Sequence, residues 1–256
     1  MLKLIKYELR KNVSALIIVA GIFALLQVFY AYNLFRARLE KSEIMLFLCV
    51  FAIFASIIVL SMVCVTTYSK DLKTRQSYML FMTPNSSYSI VGSKLITTAL
   101  EILLSFAAGC GIIVADLYFL CQKFPSIGNT MDMINEILGQ FFNEYAYSRK
   151  ICMALAAFAL GWILFIIDCL GAITLSSTFM ANNKAKGIVS FLLLLLLCYI
   201  ESKLLYFVTD TINSKVSFGN ANLFTYTMAG SYITMLVLMV GLYFGISYML
   251  DRKVSL

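Results

Sequence analysis

Six long apolar stretches divide the chain. They cover about residues 13–32, 44–65, 95–120, 151–178, 188–207 and 229–250. Each has about 20 residues or more, enough for an α-helix to cross the roughly 30 Å hydrocarbon core of a bilayer. The pattern therefore predicts an all-α, polytopic membrane protein with six transmembrane helices, in which residues 1–256 form a single transmembrane domain.

Two amphipathic segments accompany these stretches. Residues 1–12 place Leu2, Ile5 and Leu9 on one helical side and cations on the others, which predicts an N-terminal helix at a membrane interface. In the hydrophilic loop at 121–150, apolar side chains recur at helical spacing. That spacing predicts an amphipathic helix over 131–147.

The loop at 66–94 is rich in cations, with Asp71 as its one acid. We predict a short helix that begins after an N-cap at Ser69, has Asp71 in its first turn and ends before Pro84. Apolar residues at roughly helical spacing would form one of its sides: Tyr68, Leu72, Met79 and Met82. Such a helix suits either a lipid surface or a groove on another protein.

The distribution of charge predicts the orientation of the chain. Six spans place both termini on one side, together with the loops 66–94 and 181–187. These segments hold 12 of the 20 lysines and arginines but only three acids. The positive-inside rule therefore predicts cytoplasmic termini.

Composition excludes several kinds of chemistry. The chain is 61% hydrophobic and 13% charged, whereas soluble domains are nearer ~45–50% and ~25%. It has no histidine, so a Ser-His-Asp triad or a histidine zinc site cannot form within it. The seven cysteines include no CxxC pair and read as apolar core residues. The net charge of +7 comes from cations at the ends of apolar stretches, so we expect no nucleic-acid partner.

No nucleotide-binding loop is present in the sequence. Gly92-Ser93-Lys94 lacks the upstream glycine of a phosphate-binding loop. Any nucleotide that drives this protein would bind a different chain.

Four acids fall within the predicted spans: Glu101, Asp116, Asp168 and Glu201. An acid at a helix centre costs about 2.5–3.5 kcal/mol on insertion scales. We predict structural roles for Asp116 and Glu201 near the outer ends, with Lys203 close to Glu201. Glu101 and Asp168, with Gln27, are candidates for a polar cavity or, equally, for protonated acids hydrogen-bonded between helices.

Small residues in the third and fourth spans predict close helix packing. They are Ala107, Ala108, Gly109, Gly111, Ala154, Ala156, Ala157 and Gly161.

Four segments carry a family resemblance: LKLIKYELRK at the N-terminus, DLKTRQSYMLFMTP at 71–84, Gly92–Leu95 and the tail LDRKVSL. In these four segments the chain resembles the permease subunit of the type-2 ABC exporter family. The resemblance is to the small six-span members, similar to peptide or bacitracin-type export permeases.

The resemblance implies a cytoplasmic coupling helix docked on a separate ABC ATPase subunit, which would hold ATP and Mg²⁺. It implies no cofactor, catalytic residue or metal site in this chain. The implied ATPase-docking residues are Asp71, Leu72, Thr74, Arg75, Tyr78, Met79 and Met82. A secondary cytoplasmic contact would use Asn182, Asn183, Lys184 and Lys186, and the translocation path would include Gln27, Glu101 and Asp168.

The resemblance also implies a setting and a substrate class. Two permeases, this chain with a second copy or a paralogue, would pair in a bacterial plasma membrane. They would export an amphipathic or antimicrobial peptide or a similar hydrophobic substrate.

Two other functions stay open at this point. The chain could be a non-transporting sensor or assembly protein that holds a cytoplasmic partner on the 66–94 loop. It could also be an intramembrane enzyme using Asp116 and Asp168, which would have to share a proton. These two acids lie at different predicted depths, and no G-x-G-D pattern accompanies either.

Overall fold

The computed structural model describes residues 2–36, 39–72, 86–123, 139, 145–179, 186–215 and 223–252. They form six α-helices, and these ranges contain no strand: α1 (Leu2–Phe35), α2 (Leu39–Asp71), α3 (Ser87–Lys123), α4 (Tyr145–Phe179), α5 (Lys186–Lys215) and α6 (Leu223–Arg252). Each helix contains a segment long and apolar enough to cross a membrane. The predicted all-α fold with six spans is confirmed.

The helices are longer than the predicted spans. They have 30 to 37 residues, or about 45–55 Å at 1.5 Å per residue. The chain's two prolines, Pro84 and Pro125, lie in sequence between α2 and α3 and between α3 and α4, so no proline interrupts any of these six helices. Helical geometry therefore continues beyond the apolar segments into their polar flanks.

The N-terminal segment shows the same continuity and is not a separate helix. Residues 2–12 belong to α1 and enter the first span without a break. Their position at a membrane surface stays a prediction. The amphipathic helix predicted over 131–147 falls mostly outside the described residues; the structure describes only Gly139 and the start of α4 from it.

The outward faces of all six helices carry large apolar side chains. Examples are Ile17, Phe51, Leu103, Phe158, Leu192 and Val237. Exposed apolar surface of this extent is what a lipid-facing helix bundle requires, because hydrocarbon solvates such side chains without cost.

The contacts of the chain divide it into two compact units. The N-terminal unit comprises Leu2–Cys64 and Ile96–Tyr145, and the C-terminal unit comprises Val65–Leu95 and Ala146–Leu256. Helices α2 and α3 contribute to both units.

In the N-terminal unit, α1 runs parallel to α3. Asn12 hydrogen-bonds to Glu101, and Gln27 hydrogen-bonds to Asp116. Because the same 15-residue step separates the two contacts on each helix, the helices run in the same direction and stay in register for about 22 Å. The Lys123 ammonium donates to the carbonyl of α1's last residue, which extends this register.

Helix α2 packs antiparallel to α3 in the same unit. Ser56 and Ser105 share a hydrogen bond of 2.8 Å. One turn along α3, Gly109 faces Ile53, and a Cβ at Gly109 would lie only 2.5 Å from Ile53 Cγ1. The absence of a side chain at Gly109 is therefore what allows α2 and α3 to approach.

The C-terminal unit has its own apolar core. Its buried members come from α2, α3, α4 and α6: Tyr68, Val91, Ile167, Leu170, Ile246 and Leu250. The end of α2 and the start of α3 thus pack against α4 and α6.

Candidate functional site

The end of α2 differs from the sequence prediction. Residue Ser69 lies inside α2, which continues to Asp71, so Ser69 is not an N-cap and Asp71 is not in a first turn. The reason is tertiary: the Tyr68 side chain is 1% exposed in the core of the C-terminal unit, and its burial holds the preceding turn in α2. Residues 73–85, which follow, lie outside the described residues.

Asp71 and Lys94 form a buried salt bridge. The Lys94 ammonium lies 2.6 Å from Asp71 Oδ2, and the two side chains are 3% and 15% exposed. A carboxylate at the C-terminal end of a helix is unfavourable because the helix dipole is negative there. The ammonium offsets that cost, so the salt bridge ties the end of α2 to the second turn of α3.

Further polar contacts hold these two helix ends to the rest of the unit. The Tyr68 hydroxyl hydrogen-bonds to Thr174 Oγ1 of α4 at 2.6 Å. At the start of α3, the Ser87 hydroxyl donates to the Asp251 carboxylate of α6. The Tyr243 hydroxyl of α6 donates to a backbone carbonyl of the same first turn. Both ends that flank residues 73–85 are therefore anchored, α2 to α4 and α3 to α6.

We name this set of contacts the anchor: Asp71–Lys94, Tyr68–Thr174, Ser87–Asp251 and the Tyr243 hydroxyl to the Tyr88 carbonyl. The sequence predicts Tyr68 on the apolar side of a short docking helix, and that prediction is wrong because the ring is buried. The docking role of Tyr68's neighbours Asp71 and Leu72 stays a prediction; in the structure Leu72 packs against the core of the C-terminal unit.

The other predicted cytoplasmic contacts lie mostly outside the described residues. These are Thr74, Arg75, Tyr78, Met79 and Met82 of the docking set and Asn182, Asn183 and Lys184 of the secondary set. Lys186 is the first residue of α5.

Two of the three predicted path residues serve as cross-links between α1 and α3. The Gln27 amide donates to Asp116 Oδ2 at 2.7 Å. The Asn12 amide donates to both oxygens of the fully buried Glu101, at 3.1 and 3.3 Å. Because these contacts are about 22 Å apart along the helices, the structure does not bring Gln27 and Glu101 together.

Glu8 is buried, which the sequence did not predict. This acid is 3% exposed and lies on the same face of α1 as Asn12, one turn away. Its carboxyl is close enough to act electrostatically on Glu101. The spacing of Glu8 and Asn12 by four residues was the available signal.

Asp168, the third predicted path residue, pairs with an acid. Its carboxyl group lies close enough to that of Glu201 on α5 for the two to interact. Lys203, which is close to Glu201 in sequence, has its ammonium over the Tyr199 ring, 5.7 Å from the ring centroid. Residues two apart on a helix point in different directions, so Glu201 can be buried while Lys203 is exposed.

An intramembrane enzyme that used Asp116 and Asp168 would need these two acids to share a proton. In the structure, each of them has a different partner. Asp116 accepts a hydrogen bond from Gln27, whereas Asp168 lies beside Glu201. Among the described residues, no group of three or more histidines, cysteines or acids lies together as a metal site would require. The polar contacts cross-link helices, and the anchor lies on both sides of residues 73–85.

No protein-family model, curated protein or solved structure matches the chain. A functional assignment therefore depends on the residues themselves.

Proposed function

We propose that this chain is the membrane permease subunit of an ATP-driven exporter in a bacterial plasma membrane. A separate cytoplasmic ABC ATPase would dock on the 66–94 loop and hydrolyse ATP. The complex, containing two permeases, would move an amphipathic or antimicrobial peptide or a similar hydrophobic substrate out of the cell. The sequence resemblance supplies the family, and the six apolar helices are consistent with it.

The observation that carries the proposal is the anchor on both sides of residues 73–85. A segment that converts movement of a partner into movement of membrane helices must be fastened to those helices at both ends. Here one end is bonded to α4 through Tyr68 and the other to α6 through Ser87 and Tyr88, while Asp71–Lys94 links the two ends. A displacement of 73–85 would therefore pull on α4 and α6 together.

The charge of the loop supports a protein partner with an acidic groove. Lys70, Lys73 and Arg75 are cationic, whereas Met79 and Met82 supply apolar anchors. A helix that combines apolar anchors with flanking charge fits a groove on a protein, where charge complementarity guides binding and methionines adapt to the surface.

The test begins with purification of the chain from its native membrane in mild detergent. We expect a Walker-motif ATPase to co-purify at near-equal stoichiometry. Arg75→Glu and Met79→Glu should abolish both this association and ATP-driven export by the reconstituted complex, with membrane insertion intact. Lys203→Glu, a charge reversal at an exposed position on α5, is the matched control and should retain both activities.

The outcomes separate the competing functions. Export that persists in both docking variants would refute the docking assignment. A complex that binds the ATPase but moves no substrate would instead support a sensor or assembly protein. Purification of the chain with no nucleotide-binding partner would refute the permease proposal.

A further inference from the structure

Helix α1 has one buried face that runs along most of its length. The buried residues recur at helical spacing: Glu8, Asn12, Ala15, Val19, Phe23, Tyr30 and Asn33. Within the N-terminal unit this face packs on α3, where the Asn12 amide donates to the Glu101 carboxyl and the Tyr30 hydroxyl donates to a backbone carbonyl. Because the buried face begins at Glu8, the basic first turns of α1 follow the axis of the span and do not turn away from it.

Three cations occupy the opposite face of these turns. Lys3, Lys6 and Arg10 are exposed and lie three and four residues apart, so they are neighbours on the helix surface. Glu8, the one acid in the sequence of residues 2–36, is 3% exposed and lies on the buried face. No acidic side chain in the described ranges forms an ion pair with any of the three cations. Their positive charge therefore faces outward without a counterion in that part of the chain.

The same exposed face continues into the apolar part of α1. Ile17 and Val28 follow Arg10 by close to two and by five full turns of an α-helix, so all three point in nearly the same direction. The two apolar side chains are 65% and 66% exposed. A hydrocarbon chain that packs lengthwise against Ile17 would therefore bring its polar end to the three cations.

The spacing along α1 matches the depth of a phospholipid headgroup. The apolar stretch begins at about Val13, so the Cα atoms of Arg10 and Lys6 lie about 5 and 10 Å outside it at 1.5 Å per residue. A headgroup layer is about 5–8 Å thick on each side, given a full bilayer of about 40–45 Å and a hydrocarbon core of about 30 Å. The flexible stems of lysine and arginine bring their charges to this level. Lys3, about 5 Å beyond Lys6, adds to the positive potential there, within a Debye length of about 8 Å.

We propose that this face of α1 is a binding site for anionic phospholipid. Lys3, Lys6 and Arg10 hold the phosphate-bearing headgroup, and Ile17 with its exposed apolar neighbours contacts an acyl chain. Complementary charge selects this occupant, because the face carries three cations and no exposed acid and so repels the cationic group of a zwitterionic lipid. The adjoining apolar surface favours a lipid over a soluble acidic protein, since only a lipid matches both parts of the face. The inference goes beyond the proposed export function and does not depend on it.

A tryptophan placed on this face reports which lipid lies beside it. Trp162 is the chain's one tryptophan, so Ile17→Trp in a Trp162→Phe background gives a single fluorophore. The purified full chain is reconstituted in vesicles of phosphatidylglycerol and phosphatidylcholine, and the acyl chains of one lipid or the other carry bromine, which quenches the fluorescence. We expect phosphatidylglycerol to be favoured several-fold at this position, because each lysine or arginine near an anionic surface contributes up to about fivefold.

Substitution of the cations tests their part directly. The triple variant Lys3→Gln, Lys6→Gln, Arg10→Gln should bring the ratio of the two lipids at the Ile17 reporter close to one. Lys3→Arg, Lys6→Arg and Arg10→Lys together keep the charge and should keep the preference. Lys203→Gln, which removes an exposed cation of α5, is the matched control and should also keep it. All of these side chains are exposed, so the variants should fold, which helical circular dichroism checks.

A second reporter on the same helix shows whether the effect is local. Val28→Trp, in the same Trp162→Phe background, lies about 27 Å from Arg10 along α1. Its lipid ratio should therefore not change in the triple glutamine variant. Salt at about 1 M, where the Debye length is about 3 Å, should lower the preference at Ile17.

Equal quenching by the two lipids at Ile17, in the chain that keeps its three cations, would overturn the proposal and would leave these cations to an acidic protein surface. So would a preference for phosphatidylglycerol that survives in the triple glutamine variant, or one that falls as far in Lys203→Gln.

Discussion

Gly109 and Gly111 lie two residues apart on α3, and they offer a controlled test of how α2 and α3 pack. A Cβ at Gly109 would lie 2.5 Å from Ile53 Cγ1, 2.8 Å from Ile53 Cδ1 and 3.5 Å from Phe23 Cζ. A Cβ at Gly111 would meet nothing within 4 Å. Gly109→Ala should therefore force a shift of Ile53 or of the backbone, while Gly111→Ala should be accommodated.

Two contributions determine how much each substitution changes the free energy of unfolding. Both substitutions gain about 1 kcal/mol of helix propensity. Gly109→Ala is also destabilised by overpacking, which costs about 1–3 kcal/mol. We expect a value in the upper half of this range, because Cγ1 lies in the middle of the isoleucine side chain and a rotamer change does not easily move it away. The propensity term cancels between the two variants, so their difference measures the packing cost alone.

The assay is thermal unfolding of each purified variant in the same detergent, followed by helical circular dichroism. At about 2–4 °C per kcal/mol for a chain of this size, Gly109→Ala should unfold several degrees below Gly111→Ala.

A second variant assigns the cost to one contact. Ile53→Ala removes both clashing atoms and by itself destabilises by about 2–5 kcal/mol through the cavity that it leaves. Combined with Gly109→Ala, it should be less destabilising than the sum of the single effects, by about 0.5–3 kcal/mol. Equal Tm values for Gly109→Ala and Gly111→Ala, or additive effects at Ile53 and Gly109, would refute this account of the packing.

The anchor yields two further predictions, measured by the same unfolding assay. Asp71→Asn and Lys94→Met should each destabilise by about 2–4 kcal/mol, between the values for exposed and fully buried ion pairs, because each removes one partner of a largely buried pair. The double variant should lose less than the sum, and strict additivity would contradict the salt bridge. Tyr68→Phe should cost about 1 kcal/mol by removing the hydrogen bond to Thr174, whereas Tyr68→Ala should cost about 3–5 kcal/mol by emptying a core position; similar losses in both would contradict the buried placement of the ring.

The predicted spans and the observed helices agree in number and order but differ at their ends. The second span was predicted to end near residue 65, whereas α2 continues to Asp71. Hydropathy shows where a segment becomes polar, whereas a helix continues as far as contacts with the rest of the protein support its backbone. Here Thr174 and Lys94, both distant in sequence from the end of α2, supply that support through a hydrogen bond to Tyr68 and a salt bridge to Asp71.

The candidate sites could be predicted only in part. Sequence identified the acids in the spans, because a charge within an apolar stretch is evident from one segment alone. It did not bring Glu201 together with Asp168, because the two acids are distant in sequence and near only in space. It likewise treated Gly109 and Gly111 alike, although only Gly109 faces α2.

The amino-acid sequence by itself determined that the chain has six apolar segments, each long enough to span a membrane. Insertion into a bilayer depends on the sum of transfer free energies over about 20 consecutive residues, and that sum needs no knowledge of the other helices. The tertiary structure alone decided which polar side chains meet: Asn12 with Glu101, Asp71 with Lys94 and Asp168 with Glu201. These pairings depend on the rotation and register of each helix against its neighbours, which close packing sets and which no single segment encodes.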